Sequence, residues 1–207
     1  MEYLVNMTTH VPGGTSDDDV EGVLTREAAH SRELAAQGHL LRLWRPPLQR
    51  GEWRTLGLFV AGNDVELEKV LASMPLRVWR IDEPTPLSPH PNDPAANDAH
   101  PLRPATAGAE FLTTFTLAVP DGTSPALLRD TLAGEAHRTR ELAEQGHLVR
   151  LWVLPAERSA SRVLGLWRAG DDEDMQGILR SLPMDAWMTV ATTPLTQHPN
   201  DPAIMQS

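Results

Sequence analysis

The chain is expected to be α+β: two tandem ferredoxin-like (βαββαβ) units, packed sheet to sheet as an internal pseudo-dimer of the dimeric α+β barrel type. Three observations lead there. First, Arg32-Glu33-Leu34-Ala35, Gln37-Gly38-His39-Leu40 and Arg42-Leu43-Trp44 return as Arg140-Glu141-Leu142-Ala143, Gln145-Gly146-His147-Leu148 and Arg150-Leu151-Trp152, at a constant offset of 108 in a chain of 207 residues. The tails match as well, His90-Pro91-Asn92-Asp93-Pro94-Ala95 with His198-Pro199-Asn200-Asp201-Pro202-Ala203, and about four in ten aligned positions are identical. Second, apolar periodicity within each copy runs strand, long helix, strand, strand, short helix, strand. Third, a unit of that order leaves one sheet face uncovered, and two units in one chain supply each other's cover.

The elements follow from local chemistry. Residues 2–9 carry aromatic and β-branched side chains and end at the turn cluster Val11-Pro12-Gly13-Gly14. Ser16 then caps a helix whose first turn holds Asp17, Asp18 and Asp19, and Gly38 closes it. In the second copy Ser124 is the cap, Pro125 the first helical residue and Gly146 the stop. Apolar runs at 39–47 and 53–61 flank a hairpin at 48–52; a short helix runs from Asn63 or Asp64 to about Met74, Pro75 stops it, and 76–83 is the last strand. The second copy repeats the plan at 111–118, 124–145, 147–154, 162–169, 172–182 and 184–192. Glu83 to Gly108 carries seven prolines and reads as a semi-rigid connector, with 96–108 as the linker between units at 1–95 and 109–207.

Composition narrows the function classes. A formal net charge of -10 without a basic cluster argues against nucleic acid and against an anionic membrane as partner. The absence of cysteine excludes disulfides, thiolate metal sites and a cysteine nucleophile, and suits a reducing compartment. No stretch approaches 18 consecutive apolar residues and the chain starts directly in a strand pattern, so a soluble cytoplasmic protein is expected. No P-loop, dinucleotide fingerprint or Gly-x-Ser-x-Gly elbow is present.

Glu27 is the sharpest chemical signal. At 100° per residue, Val20, Val23, Leu24 and Leu34 form one helical stripe and Glu27 falls near its middle; Glu135 repeats the pattern among Leu128, Leu132 and Leu142. A carboxyl group on an apolar stripe is desolvated, its pKa rises, and it becomes suited to taking a proton from carbon near neutral pH. A structural Glu paired with an arginine has the same signature, and duplication copies either. Arg42 and Arg150 share a strand face with Leu40 and Trp44, or Leu148 and Trp152, which fits a side chain snorkelling at the sheet edge or an anion-binding group. His39 and His147 follow the helix-ending glycines and suit a capping role. Arg45 is Val153 in the second copy, so the two copies need not be equivalent. His90 with Asp93, and His198 with Asp201, fall short of a metal-ligand set and read better as a turn that pins the tail to the sheet. The tryptophans read as core and sheet-interface residues, some of them as pocket walls.

Each unit resembles muconolactone Δ-isomerase. The resemblance rests on the first strand ending near Met7-Thr8, Pro12, Glu27, Gly38, Leu43-Trp44-Arg45, Met74-Pro75-Leu76 and the closing His90-Pro91. Pro46 to Glu52 is longer than the family's Gly-containing turn, Arg54 stands near an Asn position, and the second unit has Leu151-Trp152-Val153. The resemblance implies a cofactor-free, metal-free isomerase of aromatic catabolism that forms homo-oligomers and shifts a C=C bond in a small lactone bearing an acetate arm. It implies Glu27 and Glu135 as the proton-transfer groups, with Arg42, Trp44, Arg45, His39, Arg150, Trp152 and His147 around the substrate. Two other readings remain at this point: a non-catalytic ligand-binding or assembly module, and a cofactor-free tailoring enzyme on the same scaffold.

Overall fold

The structure is a computed structural model that describes residues 1–96, 102, 108–156 and 161–205. The chain divides into two compact units, Met1–Leu87 with Thr196–Ser207, and Ser88–Leu195. Unit 1 contains β1 (Glu2–Thr9), α1 (Asp17–Ala36), β2 (Leu40–Arg45), β3 (Arg54–Val60), α2 (Asp64–Ser73), a 3₁₀ turn (Pro75–Trp79) and the start of β4 (Arg80–Pro89). Unit 2 contains β5 (Ala109–Leu117), α3 (Pro125–Glu144), β6 (Leu148–Val153), β7 (Arg162–Ala169), α4 (Asp172–Arg180), a 3₁₀ turn (Asp185–Trp187) and most of β8 (Met188–Gln197). A last helical turn, α5, spans Pro202–Met205. All pairings are antiparallel, in the order β4–β1–β3–β2 in unit 1 and β8–β5–β7–β6 in unit 2, the ferredoxin-like order.

The expected caps form. Ser16 Oγ accepts from the Asp19 amide at 3.2 Å, and Gly38 takes φ 77°, the left-handed conformation that ends α1. In unit 1 Tyr3, Val5 and Met7 alternate inward from β1 and meet Leu34, Phe59, Leu67 and Leu71, so α1 and α2 cover one face of the sheet. Each such fully buried side chain contributes roughly 1.5–3 kcal/mol of transfer free energy. Unit 2 repeats the arrangement with Phe111, Phe115, Leu142, Trp167 and Ile178. Among the described residues, no helix is long and apolar enough to cross a membrane.

Two expectations need correction. The last strand of the first repeat, expected at 76–83, begins at Arg80, because Pro75 opens a 3₁₀ turn, and it continues to Pro89. Pro84 and Pro86 are accommodated opposite Val5 and Tyr3 because their spacing of two puts both missing N–H groups on one side of an edge strand. The connector expected from Glu83 therefore starts as strand; a 3₁₀ turn follows at Pro94–Ala96, and residues 97–101 and 103–107 lie outside the described residues. The two compact units do not follow the repeat in sequence, because they exchange tails. Thr196 and Gln197 pair with Arg45 and Trp44 in unit 1, and Ser88 and Pro89 pair with Val153 and Trp152 in unit 2.

Candidate functional site

The site in unit 1 starts from α1, whose buried residues Val23, Glu27, Ser31 and Leu34 follow the helical repeat. The 3₁₀ turn that Pro75 opens presents the Leu76 amide, which donates to Glu27 Oε2 at 2.8 Å. Arg80, at the start of β4, donates from Nη1 to Glu27 Oε1 at 3.1 Å, and from Nη2 to Asp82 Oδ2 at 3.1 Å. Burial pushes the Glu27 carboxyl above its ordinary value; the Leu76 N–H and then the Arg80 charge oppose that rise. Glu27 is thus both buried and ion-paired with Arg80.

Glu27 faces a cavity of about 380 Å³ that Leu43, Arg45, Trp53, Arg80 and His198 also line. Among the described residues Arg45 makes no ion pair, so its guanidinium is available to an anion. The exchanged tail brings His198 and Asn200 to the same cavity. The Asn200 amide donates to His198 Nδ1 at 3.1 Å, which leaves the proton of the neutral ring on Nε2. Burial, and then the charge of Arg45, lower the His198 pKa to about 4, against a raising effect from Asp201, so the ring is neutral at pH 7.

Asp201 holds that tail. Its carboxylate accepts from Arg42 Nε at 3.1 Å and Nη2 at 3.0 Å, and from the Leu43 amide at 3.1 Å, with both side chains fully buried. Asp93 does the same for Arg150 and Leu151 in unit 2. The His-Pro-Asn-Asp segments are turns that pin the tails, as their composition indicated. Among the described residues, no group of three or more His, Asp or Glu side chains is placed to hold a metal ion.

Of the residues expected around a substrate, Glu27 and Arg45 meet at one cavity and Glu135 lines another. The other six line neither cavity. Arg42 and Arg150 hold the tails, and their guanidinium groups lie 4.8 Å from the ring centroids of Trp44 and Trp152. His39 donates to the Val60 carbonyl at 3.1 Å, and His147 to the Arg168 carbonyl at 2.9 Å. The strand reading failed at a register shift between Leu40 and Arg42, which puts Leu40 and Leu43 on the helix-covered face and turns Arg42 and Trp44 away from it. Arg80 escaped the sequence reading, and His198 and Asn200 were read only as part of a turn and not as cavity residues.

Unit 2 keeps the carboxyl group and loses the cations. Glu135 Oε2 accepts from the Met184 amide at 3.0 Å, as Glu27 does from Leu76. At the offset of 108, Arg45 becomes Val153, Arg80 becomes Met188 and Asp82 becomes Val190. Phe115 stands for Met7 and Trp167 for Phe59, and the cavity shrinks to about 140 Å³. Burial raises the Glu135 pKa; the Met184 N–H opposes the rise and Asp185 adds to it. A carboxyl group raised in this way supports folding fully while protonated and progressively less as pH climbs through its folded-state value. Glu135→Gln is therefore expected to raise the thermal midpoint, and by more at pH 8 than at pH 5, as calorimetry at the two pH values checks; a gain independent of pH contradicts it.

Comparison with known proteins finds relatives of both halves of the chain. The profile of the muconolactone delta-isomerase family matches residues 1–93 and 109–201. Muconolactone Delta-isomerase of Cupriavidus pinatubonensis is 29% identical over 92 residues, covering 44% of this chain and 97% of the relative. That of Acinetobacter baylyi is 27% identical over 99 residues, covering 48% of this chain and 100% of the relative. Among solved structures, a heme-binding protein from Thermus thermophilus aligns with a TM-score of 0.61 at 12% identity, covering 100% of this chain and 95% of that one. Chlorite dismutase from Candidatus Nitrospira defluvii aligns at 0.56 and 10% identity, covering 99% and 94%. Identities that low establish a shared fold alone.

Proposed function

Because the chain belongs to the muconolactone delta-isomerase family, we propose that unit 1 is its catalytic unit, a cofactor-free isomerase that moves a C=C bond in a small unsaturated lactone bearing a carboxylate arm. The observation that carries this reading is the meeting, on one cavity, of a desolvated carboxylate, Glu27, with a cation that has no ion pair among the described residues, Arg45. The reading includes a cytoplasmic, homo-oligomeric enzyme of aromatic catabolism acting on a lactone of the muconolactone type.

In this mechanism Arg45 binds the carboxylate arm and places the ring against Glu27. Glu27 removes the ring proton vinylogous to the lactone carbonyl, and the C–H electron pair becomes a furanolate anion delocalised onto the carbonyl oxygen. The Glu27 acid then returns the proton to the carbon next to the carbonyl, so the double bond moves and no atom is gained or lost. One carboxyl group on one face performs both steps. Arg80 and the Leu76 N–H hold its position and keep enough ionised form for proton removal. The Nε2–H of neutral His198 is available as a hydrogen-bond donor to the developing oxyanion. Trp53 and Leu43 supply apolar wall.

Turnover of muconolactone by the purified chain, followed by the ultraviolet and NMR changes of double-bond migration, tests this function; absence of turnover overturns it. Two finer outcomes are expected. Arg45→Met should raise KM by roughly 10- to 100-fold, the loss of a charge-assisted hydrogen bond, with kcat nearly unchanged; a fall in kcat at constant KM contradicts the assigned role. The acid limb of the kcat/KM profile should fall at a pKa above the ordinary carboxylate range, because activity needs ionised Glu27 and its pKa is raised.

A further inference from the structure

We propose that unit 2 carries a second, non-equivalent site that binds an uncharged molecule of about benzene size. This rests on the geometry of unit 2 and not on the reading of unit 1. The cavity is lined by Phe115, Leu132, Leu151, Val163, Trp167 and Met188, with Glu135 on its wall. Among the described residues that line it there is no lysine or arginine, and the positions equivalent to Arg45 and Arg80 are Val153 and Met188. An anion entering this cavity would shed its water and find no counter-charge among the described residues that line it, whereas an uncharged ring would shed little.

Size and polarity agree. An apolar cavity of roughly 150 Å³ holds benzene, and this one measures about 140 Å³. Burial and Asp185 beside it raise the Glu135 pKa, and its Oε2 is occupied by the Met184 amide. The other ionisable group on the wall is His90, whose Nδ1 accepts from the Asn92 amide at 3.1 Å and whose pKa burial lowers, so it adds no positive charge at neutral pH. The ligand class that fits is a small lactone, ketone or phenol without an ionised arm, in contrast to the anion that suits Arg45 in unit 1.

Trp167 lines this cavity and Trp53 lines the cavity of unit 1, so their indole N–H resonances report the two sites separately. The full-length ¹⁵N-labelled chain, with indole signals assigned through Trp167→Phe and Trp53→Phe, is titrated at pH 7 with γ-valerolactone and, separately, with its ring-opened hydroxycarboxylate. The lactone should shift Trp167 saturably at millimolar concentration, and the carboxylate should not. Met188→Arg should transfer preference to the carboxylate. The proposal is overturned if Trp167 does not respond to tens of millimolar lactone, or if the carboxylate shifts it equally. All of these outcomes are read at unit 2 and are independent of turnover in unit 1.

Discussion

Glu27→Gln is expected to lower kcat on muconolactone by roughly a thousandfold or more, toward the upper end of what positioned acid–base groups supply. Glutamine matches the shape of glutamate and can still accept from the Leu76 amide, but it neither takes a proton from carbon nor returns one. The thermal midpoint should stay equal or rise, because a carboxylate that burial holds in an unfavourable ionised form has been removed while Arg80 keeps its ion pair with Asp82. Activity lost without stability lost is the combination that a purely structural Glu27 would not produce. Glu135→Gln should leave kcat within about twofold, since the described residues lining its cavity include no lysine or arginine for the substrate arm. If Glu135→Gln were inactive and Glu27→Gln active, the catalytic assignment would move to unit 2.

Asp201→Ala should have the largest effect on stability, about 3–5 kcal/mol in urea unfolding, the usual cost of removing one partner of a buried ion pair. Arg42 is fully buried, and the substitution takes away the carboxylate that meets its guanidinium and accepts from the Leu43 amide. The same change frees the turn that carries His198 and Asn200 to the unit 1 cavity, so activity should fall with stability. Asp93→Ala is the internal control: its partner Arg150 keeps 12% of its side chain exposed, so water recovers part of the loss and the penalty should be smaller. Equal penalties, or less than about 1 kcal/mol for Asp201→Ala, would contradict the role given to full burial.

Much of the fold was legible because local rules and the repeat agree. Ser16, Gly38, Pro75 and the period of α1 bound their elements, and the inward position of Glu27 follows from helical periodicity alone. The site was only partly legible. Period-2 reasoning placed Arg42 and Trp44 on the face of Leu40, but one register shift in β2 reverses the parity, and no residue there announces a bulge. Arg80 looked like the middle of a strand because the 3₁₀ turn after Pro75 has no strong signature of its own. The pinning function of the His-Pro-Asn-Asp turn was readable from composition. Which copy each tail joins was not, since two tails so alike fit either repeat, and the choice is made by long-range pairing of Asp201 with Arg42 and of Asp93 with Arg150. The divergence of the two sites, by contrast, was already visible in Arg45 against Val153, and Arg80 against Met188 extends it.

The most direct test of the central claim is proton NMR of muconolactone in D₂O with the purified full-length chain. The account predicts rapid migration of the ring double bond, with part of the removed protium returned to the carbon next to the carbonyl, because one carboxyl group shielded by the cavity carries it across one face. Migration that vanishes in Glu27→Gln and persists in Glu135→Gln would complete the assignment to unit 1. No migration by the unaltered chain, or migration undiminished in Glu27→Gln, would contradict it.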